Sequence, residues 1–245
     1  HVNSPDELMF DHISAEIFNL DEWVGKSGFI NLRPDFEKIK RHEISVEYKL
    51  PESIDFEIDN QSSGKFNFVA NQPGLFRYQK SVSIRQRVQF QVDTKPEKSI
   101  KDLLSYVFSF QNLLILALYR STYPLSIILR GERHKEELPD IKPYRKNIEL
   151  YISTSNFKEN DKPQFDLEML FSYRLIREKF PQIIKNWFAK YGLLKPAFNL
   201  LFEQFYNGNR FNENTFLNLA QSAETFHARI HNHTKISKRE YKAMK

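Results

Sequence analysis

The chain of 245 residues contains no cysteine, only 7 glycines and no apolar run long enough to cross a membrane. The lack of cysteine excludes disulfide bonds, thiolate nucleophiles and cysteine-based zinc sites, and it favours a cytoplasmic location. Neither the dinucleotide-binding pattern G-x-G-x-x-G nor the phosphate-binding pattern G-x-x-x-x-G-K-[ST] occurs. The most apolar segment, Leu113–Leu118, is far shorter than the roughly 20 residues of a membrane span, so we expect a buried helix there. We therefore expect no cofactor and no membrane partner.

The composition is that of an ordinary globular protein, with 40% hydrophobic and 27% charged residues. The 22 phenylalanines and 11 tyrosines supply ample side chains for a core. The length suits one large domain or two smaller ones.

The first part of the chain is dominated by strand patterns. Apolar residues alternate with polar ones from Val82 to Val92, which predicts a long strand with one face in water. Shorter alternations include Phe66 and Phe68, and turn-forming residues separate these segments. Asn19–Val24 is typical of a short helical turn. The spacing predicts an antiparallel sandwich-like β domain.

A change of period marks a helix over residues 99–119. Ser99 is a suitable N-cap with Asp102 three positions on, and apolar residues then recur at helical spacing. Two more strands are predicted near Leu125–Leu129 and Ile148–Ser153. The polar segment 156–163 is the best candidate for a linker. We therefore predict an α+β fold with a β-rich domain over residues 1–155 and this helix packed on its sheet.

From residue 165 to 245 the patterns are helical. Helices are predicted over Leu167–Tyr173, from Pro181 to Gly192, from Pro196 to Asn207 and from Asn212 onward. The last of these carries an apolar stripe that we expect to be buried. Its members are Phe216, Leu219, Ala220, Ala223, Phe226 and Ile230.

The same helix carries the strongest catalytic candidates. Glu224 and His227 are three positions apart and share a face, and Arg229 follows closely. A carboxylate, an imidazole and a guanidinium could perform acid–base chemistry on a phosphodiester. The alternative is that Glu224 and His227 bond to neighbouring helices. Although His231 and His233 lie nearby, the spacing departs from H-E-x-x-H and no acidic partner segment is evident, so we expect no metal site.

Two further segments have both a functional and a structural interpretation. Arg130–His134 is more typical of a charged exposed loop than of a site. Phe76–Lys80 alternates aromatic and basic residues, which could stack on bases, although the pattern also describes a sheet edge.

The positive charge is concentrated in the last third of the chain. Residues 161–245 hold 14 Lys+Arg against 8 Asp+Glu, whereas the rest of the chain is close to neutral. This excess could contact an RNA backbone, or it could belong to solvated helix ends and loops.

The chain resembles the ApeA-like HEPN family of prokaryotic defence proteins. Residues from about 10 to 155 resemble the ApeA N-terminal domain, through Phe18–Trp23, Val82–Gln86, Phe108–Ala117 and Pro124–Leu129. Residues 165–245 resemble the start of an ApeA-like HEPN domain, through Trp187, Leu193 and above all Phe216–Arg229. Because the sequence opens on His1, we expect the first part of the β domain to be lacking.

The resemblance implies an abortive-infection role. The β domain would sense a phage component, and the HEPN domain would act as a metal-independent endoribonuclease, with a homodimer formed through that domain. HEPN ribonucleases use an Arg-x4-6-His motif, and none of the 7 histidines here is preceded by arginine at that spacing. We therefore expect the motif to lie beyond Lys245, unless this member is inactive, and we predict that residues 1–245 alone do not cleave RNA. Whether the chain belongs to an enzyme thus stays open. The alternative is a non-enzymatic β-sandwich module that binds sugar or protein and carries a helical appendage.

Overall fold

A six-stranded antiparallel sheet dominates the first part of the molecule. The structure is a computed structural model, and it describes residues 8–30, 38, 40–43, 45–71, 81–132, 135–136, 144–152, 162–206 and 213–231. The strands are β1 (Met9–Ile17), β2 (Phe29–Ile30), β3 (Glu47–Tyr48), β4 (Ile54–Asp59), β5 (Ser62–Ala70), β6 (Gln86–Ser99), β7 (Pro124–Arg130), β8 (Lys135–Glu136), β9 (Tyr144–Arg145) and β10 (Ile148–Glu149). The helices are α1 (Leu20–Val24), α2 (Ile100–Leu118), α3 (Tyr173–Ile176), α4 (Phe180–Tyr206) and α5 (Glu213–Ile230), with a 3-10 turn at Asp166–Glu168.

The large sheet has the order β10-β7-β1-β6-β5-β4, and β2-β3 and β8-β9 form two small sheets. Every pairing is antiparallel, and the register places Phe66 opposite Phe90. The α+β class and the antiparallel sheet are thus confirmed. The strand predicted from Val82 to Val92 is shifted along the chain in the structure. It begins later, at Gln86, and ends later, at Ser99.

The helix predicted over residues 99–119 is confirmed as α2. The Asp102 amide donates to Ser99 Oγ at 3.2 Å, which caps the helix at its first turn. One side of α2 packs on the sheet, so its apolar residues are part of the core. By length and composition α2 could cross a membrane, but more than half of its most apolar window is buried inside the protein, as in a core helix.

The core between the sheet and the helices is rich in aromatic rings. Phe90 of β6 stacks on Phe110 of α2 with ring centroids 4.2 Å apart. Trp23 of α1 meets Phe66 and Phe110 edge to face at 5.9 and 6.1 Å. Such arrangements add to the apolar area that the rings remove from water. In the described residues, the layer that packs against the large sheet therefore consists of helices and is rich in aromatic side chains.

Gly64 of β5 is needed for the close approach of a core ring. A Cβ atom at Gly64 would lie 2.2 Å from the ring of Phe56, which is itself buried. We expect Gly64→Ala to displace this ring and to lower the free energy of unfolding by about 1–3 kcal/mol. A urea titration measures the change, and Gly192→Ala is the control, because nothing lies within 4 Å of a Cβ there. An unchanged midpoint for Gly64→Ala would show that the ring moves freely.

The first compact unit extends to Phe188, later than the boundary predicted near residue 155. The physical reason is that the following segment packs on the same core. Phe180 is buried against Phe56 at 5.3 Å, and the Trp187 indole donates to the Ser109 carbonyl at 2.9 Å. The predicted linker at 156–163 falls mostly on residues that the structure does not describe.

The helices after residue 165 differ from their predicted bounds. Leu167–Tyr173 was predicted as a helix, but the structure has a 3-10 turn and then the four-residue α3. The separate helices predicted on either side of Gly192 and Pro196 form one helix, α4, with Pro196 in its interior. Proline removes one backbone hydrogen bond from a helix, and α4 continues across this loss.

The second unit, Ala189–Lys245, contains the rest of α4 and α5. Buried phenylalanines of α4 form its interior, and α5 contacts α4 through polar groups. Ser222 Oγ donates to the Ala197 carbonyl at 2.8 Å, and Asn218 donates to Glu203 at 2.7 Å. The predicted burial of the apolar stripe is wrong for Phe226, which is 42% exposed, because α5 meets α4 along a neighbouring row of residues that includes Asn218 and Ser222. Phe216 and Ile230 are exposed as well.

Candidate functional site

The face of the large sheet opposite α2 is polar, and we call it the polar face. It arises from alternation along the strands, since His12, Ser14 and Glu16 of β1 lie between apolar residues that enter the core. On β6 the corresponding residues are Gln89, Gln91 and Asp93. The β1–β6 register sets His12 opposite Asp93, Ser14 opposite Gln91 and Glu16 opposite Gln89.

A row of hydrogen bonds crosses the middle of the polar face. Gln91 Nε2 donates to Gln89 Oε1 at 3.0 Å, and Gln89 Nε2 donates to Glu16 Oε1 at 3.2 Å. Ser14 Oγ donates to Gln89 Oε1 at 3.3 Å. Ser14 and Gln91 are buried, so leaving these groups without partners would be costly. These hydrogen bonds therefore hold the polar side chains in the middle of the polar face in fixed positions.

One end of the polar face carries an imidazole–carboxylate pair. His12 Nδ1 lies 2.7 Å from Asp93 Oδ1, and His12 is buried whereas Asp93 is half exposed. The hydrogen bond from His12 lowers the pKa of Asp93, with help from the charges of His12, Lys65 and Arg145. Lys65 Nζ lies 3.9 Å from the same carboxylate. An arrangement of this kind favours the negatively charged form of the Asp93 carboxylate.

A cleft of about 690 Å³ opens beside Asp93, and we call it the acidic cleft. A second cleft of about 390 Å³ shares Glu57, Ser63 and Asp93 with it. Arg145 Nη1 pairs with Asp11 at 3.0 Å, and this arginine also bonds to Glu132. The acidic cleft is lined by Asp11, Glu57, Asp59, Asn60, Gln61, Ser62, Ser63, Asp93, Thr94, Lys95 and Arg145. Four carboxylates against two cations make it an attractive environment for a positively charged ligand.

A hydroxyl–ammonium cluster adjoins the acidic cleft. Lys98 Nζ donates to the Tyr106 hydroxyl at 2.5 Å, and that hydroxyl lies 2.9 Å from Ser62 Oγ. The Tyr106 hydroxyl also donates to Asp59 Oδ2 at 3.4 Å. Because Ser62 is buried and these groups come from β5, β6 and α2, the cluster ties the rim of the cleft to the helix.

The other end of the polar face contains a carboxyl group with a strongly altered pKa. Burial raises the pKa of Asp21 to about 7, the charges of Glu22 and Glu16 act in the same direction, and a hydrogen bond from the Val88 amide opposes them. Burial also raises the pKa of Glu22. Glu16 is paired with Arg87 at 3.1 Å. A carboxyl that titrates near neutral pH is a common feature of functional sites.

The structure places the sequence-predicted residues Glu224, His227 and Arg229 on the surface of α5. The rings of His227 and His231 lie 4.8 Å apart, and Arg229 Nη1 donates to the Leu193 carbonyl at 2.9 Å. Arg229 thus bonds to the backbone of α4, and the catalytic roles of all three residues stay predictions. Within the described residues, no group of three or more His, Asp or Glu side chains could hold a metal ion.

The other predicted segments have mixed outcomes. Arg130 is the last residue of β7 and donates to Asn147 at 2.6 Å. The remaining candidates, namely His134, His233, the whole of Phe76–Lys80 and the basic tail from Lys235, lie outside the described residues.

Sequence reasoning missed the polar face, although a signal for it was present. Polar residues at every second position from His12 to Glu16, and again from Gln89 to Asp93, follow the period of a strand. This pattern marks a polar side of a sheet but does not show which strands are neighbours. The pairing of His12 with Asp93, 81 positions later, required the fold.

The comparisons with known proteins bear on the first unit. No curated protein and no solved structure matches the chain. A family model, ApeA N-terminal domain 1, matches residues 1–187, which is almost the whole of the first compact unit.

Proposed function

Because the chain belongs to the ApeA N-terminal domain 1 family, we propose that its first unit is the recognition part of an anti-phage defence protein of ApeA type. In this proposal a phage component binds at the acidic cleft. The supporting observation is that the cleft and the pair formed by buried His12 and half-exposed Asp93 lie together within residues 1–187. Hydrogen bonds and ion pairs hold their side chains in place, since Asp93 is bonded to His12 and Asp11 is paired with Arg145, as a preformed binding site requires.

The proposed role of the C-terminal residues is catalytic. We propose that the residues of the second unit, 189–245, contribute to a HEPN domain, which in the complete protein forms a homodimer and cleaves cellular RNA without metal in the cytoplasm. The excess of 14 Lys+Arg over 8 Asp+Glu in residues 161–245 suits contact with phosphates. Glu224, His227 and Arg229 would act there as accessory groups on the exposed surface of α5.

The acidic cleft also supports a second candidate function. A non-enzymatic module that binds a protein or a sugar would use the same preformed polar site, and its helical residues would serve assembly only. The two candidate functions make different predictions for the complete protein after exposure to phage. The first predicts that it cleaves RNA, and the second predicts that it does not.

Substitutions in the cleft should separate recognition from catalysis. We expect Asp93→Asn and Arg145→Ala in the complete protein to restore phage growth on bacteria that express it. Asp93→Asn removes a negative charge from the cleft, and Arg145→Ala breaks the ion pairs that hold Asp11 and Glu132 in place. Lys101→Ala, on the exposed side of α2, is the control and should leave protection intact. Plating efficiency measures protection, and immunoblots measure protein amount.

Cleavage of RNA is followed in the same cells. Loss of protection together with loss of phage-induced RNA cleavage supports a recognition role for the cleft. Full protection by both cleft variants at normal protein amount would contradict that role. Protection without any RNA cleavage by the unchanged protein would support the non-enzymatic module.

A further inference from the structure

Strand β4 forms one edge of the large sheet, next to β5. No strand pairs with its outer side in the described part of the chain. In an edge strand, the amide and carbonyl groups of alternate residues point away from the sheet and are free to pair with another strand. The edge is six residues long, which is a usual length for a strand that binds an extended peptide.

The side chains of β4 alternate between the buried face and the exposed face of the sheet. Phe56 and Ile58 enter the core, whereas Asp55 and Glu57 are exposed. Both carboxylates line the smaller cleft, and Glu57 also lines the acidic cleft. A strand added beside β4 would place every second side chain above these carboxylates.

We propose that the edge of β4 is a docking site for an extended segment of a partner protein that carries lysine or arginine at alternate positions. The segment adds to the sheet as a seventh strand, and its basic side chains face Asp55, Glu57 and the acidic cleft. This inference rests on the proposed recognition role, because it specifies the class of partner that is recognised.

One contact within the chain already imitates such a partner. Lys185 Nζ of α4 lies 3.5 Å from Glu57 Oε2, and the Glu57 side chain is 80% exposed. An exposed pair of this kind is weak, so a basic side chain from a partner can displace it. Removing Lys185 should therefore increase the affinity for a basic segment.

Charged residues on an edge strand can also serve only to prevent aggregation. The two explanations differ in what a basic strand does. A purely protective edge attracts cations without forming backbone hydrogen bonds, whereas a docking edge needs both the charges and the backbone groups.

The probe for the test is a synthetic peptide of alternating lysine and valine, matched in length to β4, and the target is the complete protein. Fluorescence anisotropy measures affinity, and hydrogen exchange measures the protection of the amides of residues 54–59. We expect binding with increased protection of those amides, at alternate positions, that point away from β5. A peptide with glutamate in place of lysine should not bind. A peptide N-methylated at alternate amides keeps its charges but should also fail to bind.

Matched variants locate the site. We expect Glu57→Lys to weaken binding about tenfold, since it replaces an attraction by a repulsion. Glu178→Lys makes the same charge change on an exposed turn and should leave the affinity unchanged. Lys185→Ala should raise the affinity about twofold, because it frees Glu57. Thermal unfolding checks that each variant is folded.

Three outcomes would overturn the inference: no binding of the lysine–valine peptide, equal binding of the N-methylated peptide, or equal weakening by Glu178→Lys. The proposed function fails separately. If Asp93→Asn abolishes protection but the peptide does not bind, recognition at the cleft stands and strand addition is wrong. If the peptide binds as expected but the unchanged protein gives no protection against phage, strand docking stands and the defence role is wrong.

Discussion

Replacing Asp21 by asparagine should stabilise the protein above pH 7 and should flatten the dependence of its stability on pH. The pKa of this carboxyl is raised from 3.8 to about 7, mainly by burial and then by the charges of Glu22 and Glu16. Folding therefore favours the protonated form. An asparagine amide has the size of the protonated carboxyl and carries no charge, so it avoids the cost of a buried anion.

The direction of the effect follows from proton binding. Between pH 3.8 and about 7 the unfolded chain has released this proton while the folded protein keeps it, so stability falls as pH rises. The loss is complete above the folded pKa. One pKa unit corresponds to about 1.4 kcal/mol, so the total loss is of order 4 kcal/mol at pH 8 relative to pH 4. Below pH 3.8 the carboxyl makes no difference.

Urea titrations of the wild type and Asp21→Asn from pH 4 to pH 8 measure this difference. Glu178→Gln removes a carboxylate from an exposed turn and is the control. The free energies of wild type and Asp21→Asn should differ by an amount that grows with pH, while the control runs parallel to the wild type. A constant difference across this range would show that Asp21 does not titrate near neutral pH in the folded protein.

Trp23→Ala should be the most destabilising single substitution in the first unit. Trp23 is completely buried, and its ring meets Phe66, Phe110, Tyr173 and Phe180 at centroid distances of 5.9 to 6.1 Å. Its indole nitrogen donates to the Phe171 carbonyl at 3.0 Å. Removing the ring leaves a large cavity and breaks this bond. We expect a loss of about 3–5 kcal/mol in the free energy of unfolding.

Trp23→Phe separates the two contributions. It retains most of the ring and removes the hydrogen bond to Phe171, so we expect a smaller loss, about 1–3 kcal/mol. Chemical denaturation followed by circular dichroism measures both variants. Equal losses for the two would mean that the hydrogen bond, and not the packing of the ring, dominates at this position.

Local features of the fold were predictable because their causes are local. Ser99 and Asp102 form a cap within one turn, and the alternation around Phe66 and Phe68 reflects one buried face of a strand. The extent of the first unit was not predictable in this way. Residues from Met169 to Phe188 join its core through contacts with β4 and α2 that no local pattern describes.

The candidate site, too, was predictable in its local features and not in those that depend on distant contacts. The sequence indicates polar positions at Asp93 and His12, but their meeting depends on the pairing of β1 with β6. The pKa of Asp21 depends on burial and on the nearby Glu16, neither of which is visible from the motif Phe18–Trp23. For α5, the amphipathic pattern predicted a buried stripe, whereas the helix meets α4 along a neighbouring row that includes Ser222, whose hydroxyl donates to the Ala197 carbonyl.

The position of β1 between β6 and β7 has a consequence for synthesis on the ribosome. Strand β1 precedes both of its neighbours in the chain, and the second of them, β7, is complete only when Arg130 has been added. At about 5–20 residues per second, β1 waits roughly 6–23 seconds for that partner. Sheets built from such distant segments form slowly. During translation, the alternating apolar side chains of Met9–Ile17 are therefore made long before the strand that completes their side of the sheet.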